Sequence, residues 1–409
     1  MTKNEPDNKA ATSAALDRGE SVNLMEPLLV GAGSRHRAEL TDLAVELAAA
    51  AAALRSALPE GIVSALGHLV RAMNCYYSNL IEGHDTHPID IERALKGDYS
   101  SEPRNRDLQL EARAHIEVQA WIDAGGLPAP PASAASLIEI HRRFCANLPA
   151  ELLAAEGPET GERVPVIPGH LRERDVQVGR HVPISPGAIP RFLQRFEAGY
   201  SGLGRTEGIL GLAGAHHRLL WIHPFMDGNG RVARLMSHAM LLQSLDTGGI
   251  WSVARGLARN VEDYKRLLMA CDAPRQGDLD GRGQRSEEAL IRFTRFFLGT
   301  CLDQIRFMQN LMQPEHLRGR ILGWAQEEIR ASRLPPKSDR VLEAVLYRGQ
   351  LPRAEINGLL SVSERQARRV TAALLEQEVV TSASSRAPIQ LAFPARLASG
   401  WMPGLFPPK

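Results

Sequence analysis

A tight turn set between two long apolar helical repeats constrains this chain more than any other feature. Residues 206–221 carry apolar side chains at helical spacing, residues 230–245 repeat the pattern, and Asp227-Gly228-Asn229-Gly230 lies between them. The spacing predicts two helices meeting at a sharp turn. Two glycines open backbone angles closed to other residues, so successive N–H groups can converge on one point as an anion nest. The dipole and free N–H groups at the start of the second helix add to this, which suits a phosphate.

The side chains around the turn belong to the same chemistry. His223 precedes it, Asp227 opens it, and Arg231 and Arg234 follow on the first helical turn. Arginines so placed can clamp phosphate oxygens bidentately. One carboxylate, Asp227, suffices for Mg²⁺ where nucleotide phosphates and water complete the shell. His223 can take a proton from an incoming hydroxyl near neutral pH. A base, a metal carboxylate and a phosphate cradle point to phosphoryl or nucleotidyl transfer. Phe225 is expected to anchor the loop in the core. A metal-hydrolase site built from His217, His223 and Asp227 is the alternative, but it leaves the glycines and both arginines without a role.

The run His223-Pro224-Phe225-Met226-Asp227-Gly228-Asn229-Gly230-Arg231-Val232-Ala233-Arg234 resembles the Fic (filamentation induced by cAMP) signature H-x-F-x-[D/E]-G-N-G-R-x-x-R at every fixed position. The resemblance covers residues 60–310, roughly, and implies a mainly α fold and a transferase that moves AMP from ATP to a Ser, Thr or Tyr hydroxyl of a protein. Some relatives transfer UMP, phosphocholine or phosphate, and some remove AMP. On this resemblance His223 is the general base and Asp227 holds Mg²⁺. Gly228, Asn229 and Gly230 bind the α- and β-phosphates, Arg231 contacts the β-phosphate side, and Arg234 reaches the γ-phosphate. Relatives place a Tyr or Asn against the adenine, so Asn260 and Tyr264 are candidates, with a core tyrosine as the alternative for Tyr264.

Two further segments extend the resemblance. Residues 163–183 alternate valines (Val164, Val166, Val176, Val178, Val182) with polar residues and read as a β-hairpin. In Fic relatives a hairpin flap pairs with an extended target segment by strand addition. Ser78-Asn79-Leu80-Ile81-Glu82-Gly83 resembles the inhibitory motif [S/T]-x-x-x-E-[G/N] of autoinhibited members. That likeness implies that Glu82 pairs with Arg234, with Ser78 one turn earlier on the same face. Gly83 also suits the C′ position of a helix end. Some relatives use this glutamate to position water, so removal of AMP is the alternative resting activity.

The chain is 409 residues long with 44% apolar and 23% charged residues and a net charge of +1. These values suit a multidomain globular protein and supply no global field for nucleic acid or membrane. Cys75, Cys145, Cys271 and Cys301 form no CxxC pair, which argues for reduced thiols and against a zinc site. The charged first twenty residues do not read as a signal peptide, and the alanine-rich run 44–58 reads as a water-soluble helix. A cytoplasmic location and no membrane contact are expected.

Beyond Leu334-Pro335-Pro336 the pattern changes to short helices at 338–347, 352–360 and 363–377, then strands at 379–381 and 389–393. This order reads as a winged helix-turn-helix, with Ser363 as N-cap and Arg365, Gln366, Arg368 and Arg369 on its third helix. Residues 335–409 hold ten Lys and Arg against six Asp and Glu, a modest balance for DNA binding, so DNA and protein contacts both stand.

The expected architecture is therefore mainly α. A mobile tail spans 1–36, and a Fic-type helical bundle spans 37–330 with an N-terminal inhibitory helix and a β-hairpin flap. A winged helix-turn-helix follows at 335–395. The expected partners are Mg²⁺, ATP, a protein target presenting a hydroxyl (self-modification included) and a second copy as a homodimer. The alternative from another class is a DNA-binding regulator that uses the Fic domain as a nucleotide sensor.

Overall fold

The computed structural model describes residues 15–156, 162–245 and 247–407. Helices α1 (Arg37–Ser56), α2 (Glu60–Ile81), α3 (Pro88–Leu95), α4 (Pro103–Asp123) and α5 (Ala134–Ala146) lead to a short two-stranded sheet. Helices α6 (Ile189–Tyr200), α7 (Arg205–Ile222), α8 (Asn229–Ser244), α9 (Val253–Arg259), α10 (Val261–Ala270), α11 (Glu287–Leu311) and α12 (Pro314–Arg330) follow. The last part comprises α13 (Ser338–Arg348), α14 (Ile356–Leu360), α15 (Glu364–Glu376) and α16 (Ala398–Trp401).

The pair α7 and α8 forms the spine of the molecule. Along α7 nearly every side chain from Gly208 to Ile222 is buried, and α8 buries Val232, Ala233, Leu235, Met236 and Ala239. A helix buried on all sides lies at the centre of a bundle rather than on its surface. Around it pack α1, α6 and α11, while α2, α4 and α5 close the side bearing the turn. All four cysteines are free thiols in the interior. Among the described residues no helix is long and apolar enough to cross a membrane.

Two expectations need correction. Residues 1–14 of the expected tail lie outside the described residues, but residues 15–36 are not a free tail. Met25, Leu28 and Val30 are buried, and Tyr200 Oη donates to Leu28 O at 2.8 Å. The Glu20 carboxylate accepts from Ser185 N–H at 2.8 Å and from its hydroxyl at 2.6 Å. Apolar residues after position 21 give this segment enough burial to hold it against the bundle.

The hairpin also lies elsewhere. Strand β2 (Arg163–Pro165) pairs antiparallel with β1 (Ala154–Glu156), not with residues near 180. Pro165 and Pro168 offer no N–H to a ladder, and Gly169 turns the chain at φ +78°. Residues 176–183 make only a narrow loop closed by the Val178–His181 bridge, tied to α7 by His181 Nε2 and Trp221 O at 2.8 Å.

In the C-terminal part α13, α14 and α15 are followed by a three-stranded antiparallel sheet, ordered β3 (Gln350–Leu351), β5 (Ile389–Leu391), β4 (Val380–Thr381). It rests on α2, the helix that leads to Glu82. Tyr77 Oη donates to Leu405 O at 2.9 Å, and Arg255 donates to Gly404 O at 2.7 Å. Gly61 and Gly349 meet so closely that a Cβ on Gly61 would overlap the Gly349 carbonyl.

Candidate active site

The turn is built from its backbone outward. His223 ends α7 in the left-handed region at φ 51°, uncommon for a residue with a Cβ and found where surrounding structure enforces it. The enforcing group is Arg172, whose Nε donates to His223 O at 2.7 Å and whose backbone N–H donates to Pro224 O at 2.9 Å. Arg172 is itself 2% exposed and bonds only backbone carbonyls, so it holds the loop without being a ligand to anything else described.

Phe225 is fully buried, as its pattern predicted, which stabilises the loop by about 2–3 kcal/mol. It stacks face to face on His141 at 4.0 Å and 3°. His141 Nδ1 accepts from Gly169 N–H at 2.9 Å, so the proton of the neutral ring sits on Nε2, facing the Asp227 backbone. Burial lowers the His141 pKa to about 4 and keeps the ring neutral. Sequence reasoning missed His141, because a histidine on the apolar face of a helix carries no distinguishing signal.

Asn229 departs from its expected use. Its Oδ1 accepts from Phe225 N–H at 3.0 Å and its Nδ2 donates to Phe225 O at 2.9 Å, with the residue 2% exposed. The side-chain amide closes the loop on itself and is not free for a ligand. Gly228 precedes it at φ +79° as the N-cap of α8, and no side chain caps the helix. The first-turn N–H groups of α8 are thus left to the cleft. Asp227 is exposed, with Oδ1 accepting from Gly228 N–H at 2.6 Å. A carboxylate beside an open helix N-terminus fits a cation shared with phosphate oxygens.

His223 is largely enclosed, and burial, opposed by its bond to Leu220, lowers its pKa to about 4. Its Nδ1 lies 3.3 Å from Leu220 O and donates to it, which puts the lone pair on Nε2. The imidazole is therefore neutral at physiological pH and able to accept a proton. His217 is not part of this group: its Nε2 meets Asp272 Oδ1 at 2.9 Å, inside the bundle. Among the described residues no three His, Cys, Asp or Glu side chains cluster as a metal site, which removes the geometry of the hydrolase alternative.

Both arginines are occupied by other helices. Arg234, 3% exposed, donates through Nε to Ser78 Oγ at 2.8 Å and through Nη2 to Ser78 O at 3.2 Å, and it pairs with Glu82 Oε1. The partners are those the sequence suggested. A Cβ on Gly230 would run into the Glu82 carboxylate, so the glycine lets Glu82 pack against the start of α8. Burial works against ionisation of Glu82, but the Arg234 charge and hydrogen bond outweigh it and hold the pKa below its ordinary value. Arg231 lies over the Phe144 ring at 5.0 Å and pairs with Glu111 of α4, a partner sequence reasoning did not find. That approach is an ion pair rather than an aligned hydrogen bond, since Glu111 Oε1 receives no well-directed N–H. Glu111 Oε2 takes a bond from His84 Nδ1 at 2.8 Å.

The adenine candidates fare differently. Tyr264 is 3% exposed, with its hydroxyl 2.7 Å from His216 Nε2, a core position beneath the site. Asn260 is exposed and its Nδ2 donates to Gly256 O at 2.9 Å.

Comparison with known proteins matches this same stretch. Residues 131–241 fit the model of the Fic/DOC family. The chain is 27% identical over 173 residues to "Protein adenylyltransferase Fic" of Drosophila willistoni and 26% identical over 171 residues to that of Drosophila erecta. The matches cover 41% of this chain and 31–32% of those proteins, so the chain spans about a third of the length of the curated relatives it matches. Among solved structures, a Fic family protein from Desulfovibrio desulfuricans G20 aligns over 86% of this chain and 96% of its own, at 16% identity and a TM-score of 0.47. Fic-1 from C. elegans aligns over 68% and 77%, at 17% identity and 0.47. The segment that carries the turn is thus similar to the Fic/DOC family and to proteins named for protein adenylyl transfer.

Proposed function

We propose that the chain is a Mg²⁺-dependent protein adenylyltransferase, held inactive by Glu82. The observation that carries this reading is a neutral histidine with an open Nε2 beside an uncapped helix N-terminus that bears two arginines. His223 Nε2 takes the proton of a target Ser, Thr or Tyr hydroxyl. That oxygen bonds the α-phosphorus of ATP, the bond to the bridging oxygen of the β-phosphate breaks, and pyrophosphate leaves. The first-turn N–H groups of α8 and the two arginines bind and orient the phosphates. Asp227 would hold Mg²⁺, which when bound would neutralise charge on the phosphate oxygens.

Arg234 cannot serve a γ-phosphate while Ser78 and Glu82 occupy it, so the resting chain transfers little. The test is transfer from α-³²P-ATP with Mg²⁺ by wild type, Glu82→Gly and Glu82→Gly/His223→Ala. Label on protein is expected from the single variant and lost in the double. Equal labelling by Glu82→Gly and wild type would sink the inhibitory role, and labelling by the double variant would sink the base. Reduced buried thiols support a cytoplasmic location.

A second role for the C-terminal module is favoured by the exposure of Arg365, Arg368 and Arg369 along one face of α15. We read the three helices and three-stranded sheet as a winged helix that contacts DNA or a protein.

A further inference from the structure

Helix α2 ends with two side chains that go separate ways. Gly83 sits at φ +86°, and His84 N–H donates to Asn79 O at 2.9 Å, a Schellman-type end that fixes residues 82–84 relative to the helix. From this turn Glu82 reaches Arg234, while His84 reaches back to Glu111 on α4. Glu111 is 6% exposed at its side chain, and its other oxygen faces Arg231. A chain of alternating charge results, running His84, Glu111, Arg231, with Glu82 and Arg234 alongside.

From this geometry we infer that His84 and Glu111 form a latch that positions the inhibitory glutamate and ties down Arg231 at the same time. The inference rests on the inhibitory reading of Glu82. Glu82 alone is attached by one ion pair at the end of a helix, where fraying is easy. The His84–Glu111 contact supplies the second attachment point, on a different helix, and prevents the 82–84 turn from swinging off Arg234. Because Glu111 serves His84 and Arg231 together, the two phosphate-binding arginines are held by one assembly rather than by two independent contacts. His84 and Glu111 touch no substrate and are positioning residues.

Protonation tunes the latch. The groups facing His84 are Glu111 from α4, Glu82 from its own turn and Arg231 from α8. The hydrogen bond to Glu111 raises the His84 pKa above its ordinary value, against the opposing pull of burial. The latch is therefore complete below about pH 6.5 and weakens as pH rises through the raised value.

The experiment measures transfer from α-³²P-ATP by wild type, His84→Ala, His84→Gln, Glu82→Gly and Glu82→Gly/His84→Ala. Alongside it runs amide hydrogen exchange over residues 79–84, which needs no nucleotide. His84→Ala should transfer roughly three- to tenfold faster than wild type, the loss of one charge-assisted bond. His84→Gln, which can still donate to Glu111, should stay near wild type and lose the rise with pH. The double variant should be no faster than Glu82→Gly. Exchange at 79–84 should accelerate in His84→Ala. Unchanged exchange there, or unchanged transfer beside an activated Glu82→Gly, would overturn the latch. If Glu82→Gly fails to label, the inhibitory reading falls, and the exchange data alone then decide whether His84 holds the turn.

Discussion

Helices α8 and α15 begin alike and are used in opposite ways. Each carries arginines in its first two turns, Arg231 and Arg234 on one, Arg365, Arg368 and Arg369 on the other. On α15 the N-terminus is closed by a capping box, with Ser363 and Gln366 bonding each other's backbone, and the arginines stand in solvent. On α8 no side chain caps the helix, and both arginines lie under the surface against carboxylates from α2 and α4. An end whose N–H groups are satisfied is a structural end, while one left open beside buried cations is built to receive an anion. Residue type alone does not separate the two, but partner and burial do.

The sharpest test of this contrast is stability. Removing Arg231 leaves Glu111 charged and buried with only His84 to answer it, so Arg231→Ala should destabilise the fold by about 3 kcal/mol in urea unfolding. If the loss were below 1 kcal/mol, the Arg231–Glu111 pair would be a surface contact in disguise.

Acid provides the next test. Glu82 and Glu111 both have pKa values held below the ordinary 4.5 in the fold, so each contributes stability above that value. This stability is lost as pH falls through the lowered folded values. Glu111→Gln should flatten the decline in stability below about pH 4.5. His84 has the opposite sign: its raised pKa contributes at low pH and fades as pH rises. An acid limb unchanged in Glu111→Gln would mean that Glu111 keeps its ordinary pKa.

Much of the site could be read from the sequence because it is local. The helix–turn–helix over 206–245 is observed as α7 (Arg205–Ile222) and α8 (Asn229–Ser244), and glycine and apolar spacing are sufficient to specify it. The Glu82–Arg234 contact spans 152 positions, yet a motif marked it. Glu111 and His84 were invisible. A glutamate on a helix and a histidine after a helix end look like solvated residues until packing brings Arg231 beside them. Asn229 shows a different limit: its type suggested a ligand, and only the fold shows its amide committed to Phe225. The alternating valines after Arg163 misled because proline and Gly169 break the ladder that alternation implies.

On α15 the largest expected change is smaller than any on α8. Ser363→Ala removes the cap and should cost about 1 kcal/mol, read as fraying of α15 by amide exchange, with adenylyl transfer unaltered. A loss well above 2 kcal/mol would mean that the cap also holds the module against α2.

The smallest effect is expected at Arg368, whose side chain is 82% exposed and paired only with Glu364, itself 74% exposed. Screening and side-chain entropy cancel most of such a contact, so Arg368→Ala should move stability by less than about 0.5 kcal/mol. Its value lies in binding. If α15 lies along a DNA backbone, the variant weakens binding and lowers the slope of log affinity against log salt by about 1. If the face meets a protein, affinity falls without that change in slope. If neither moves, the arginines of α15 are a solvated face, and the proposed anion site belongs to α8 alone.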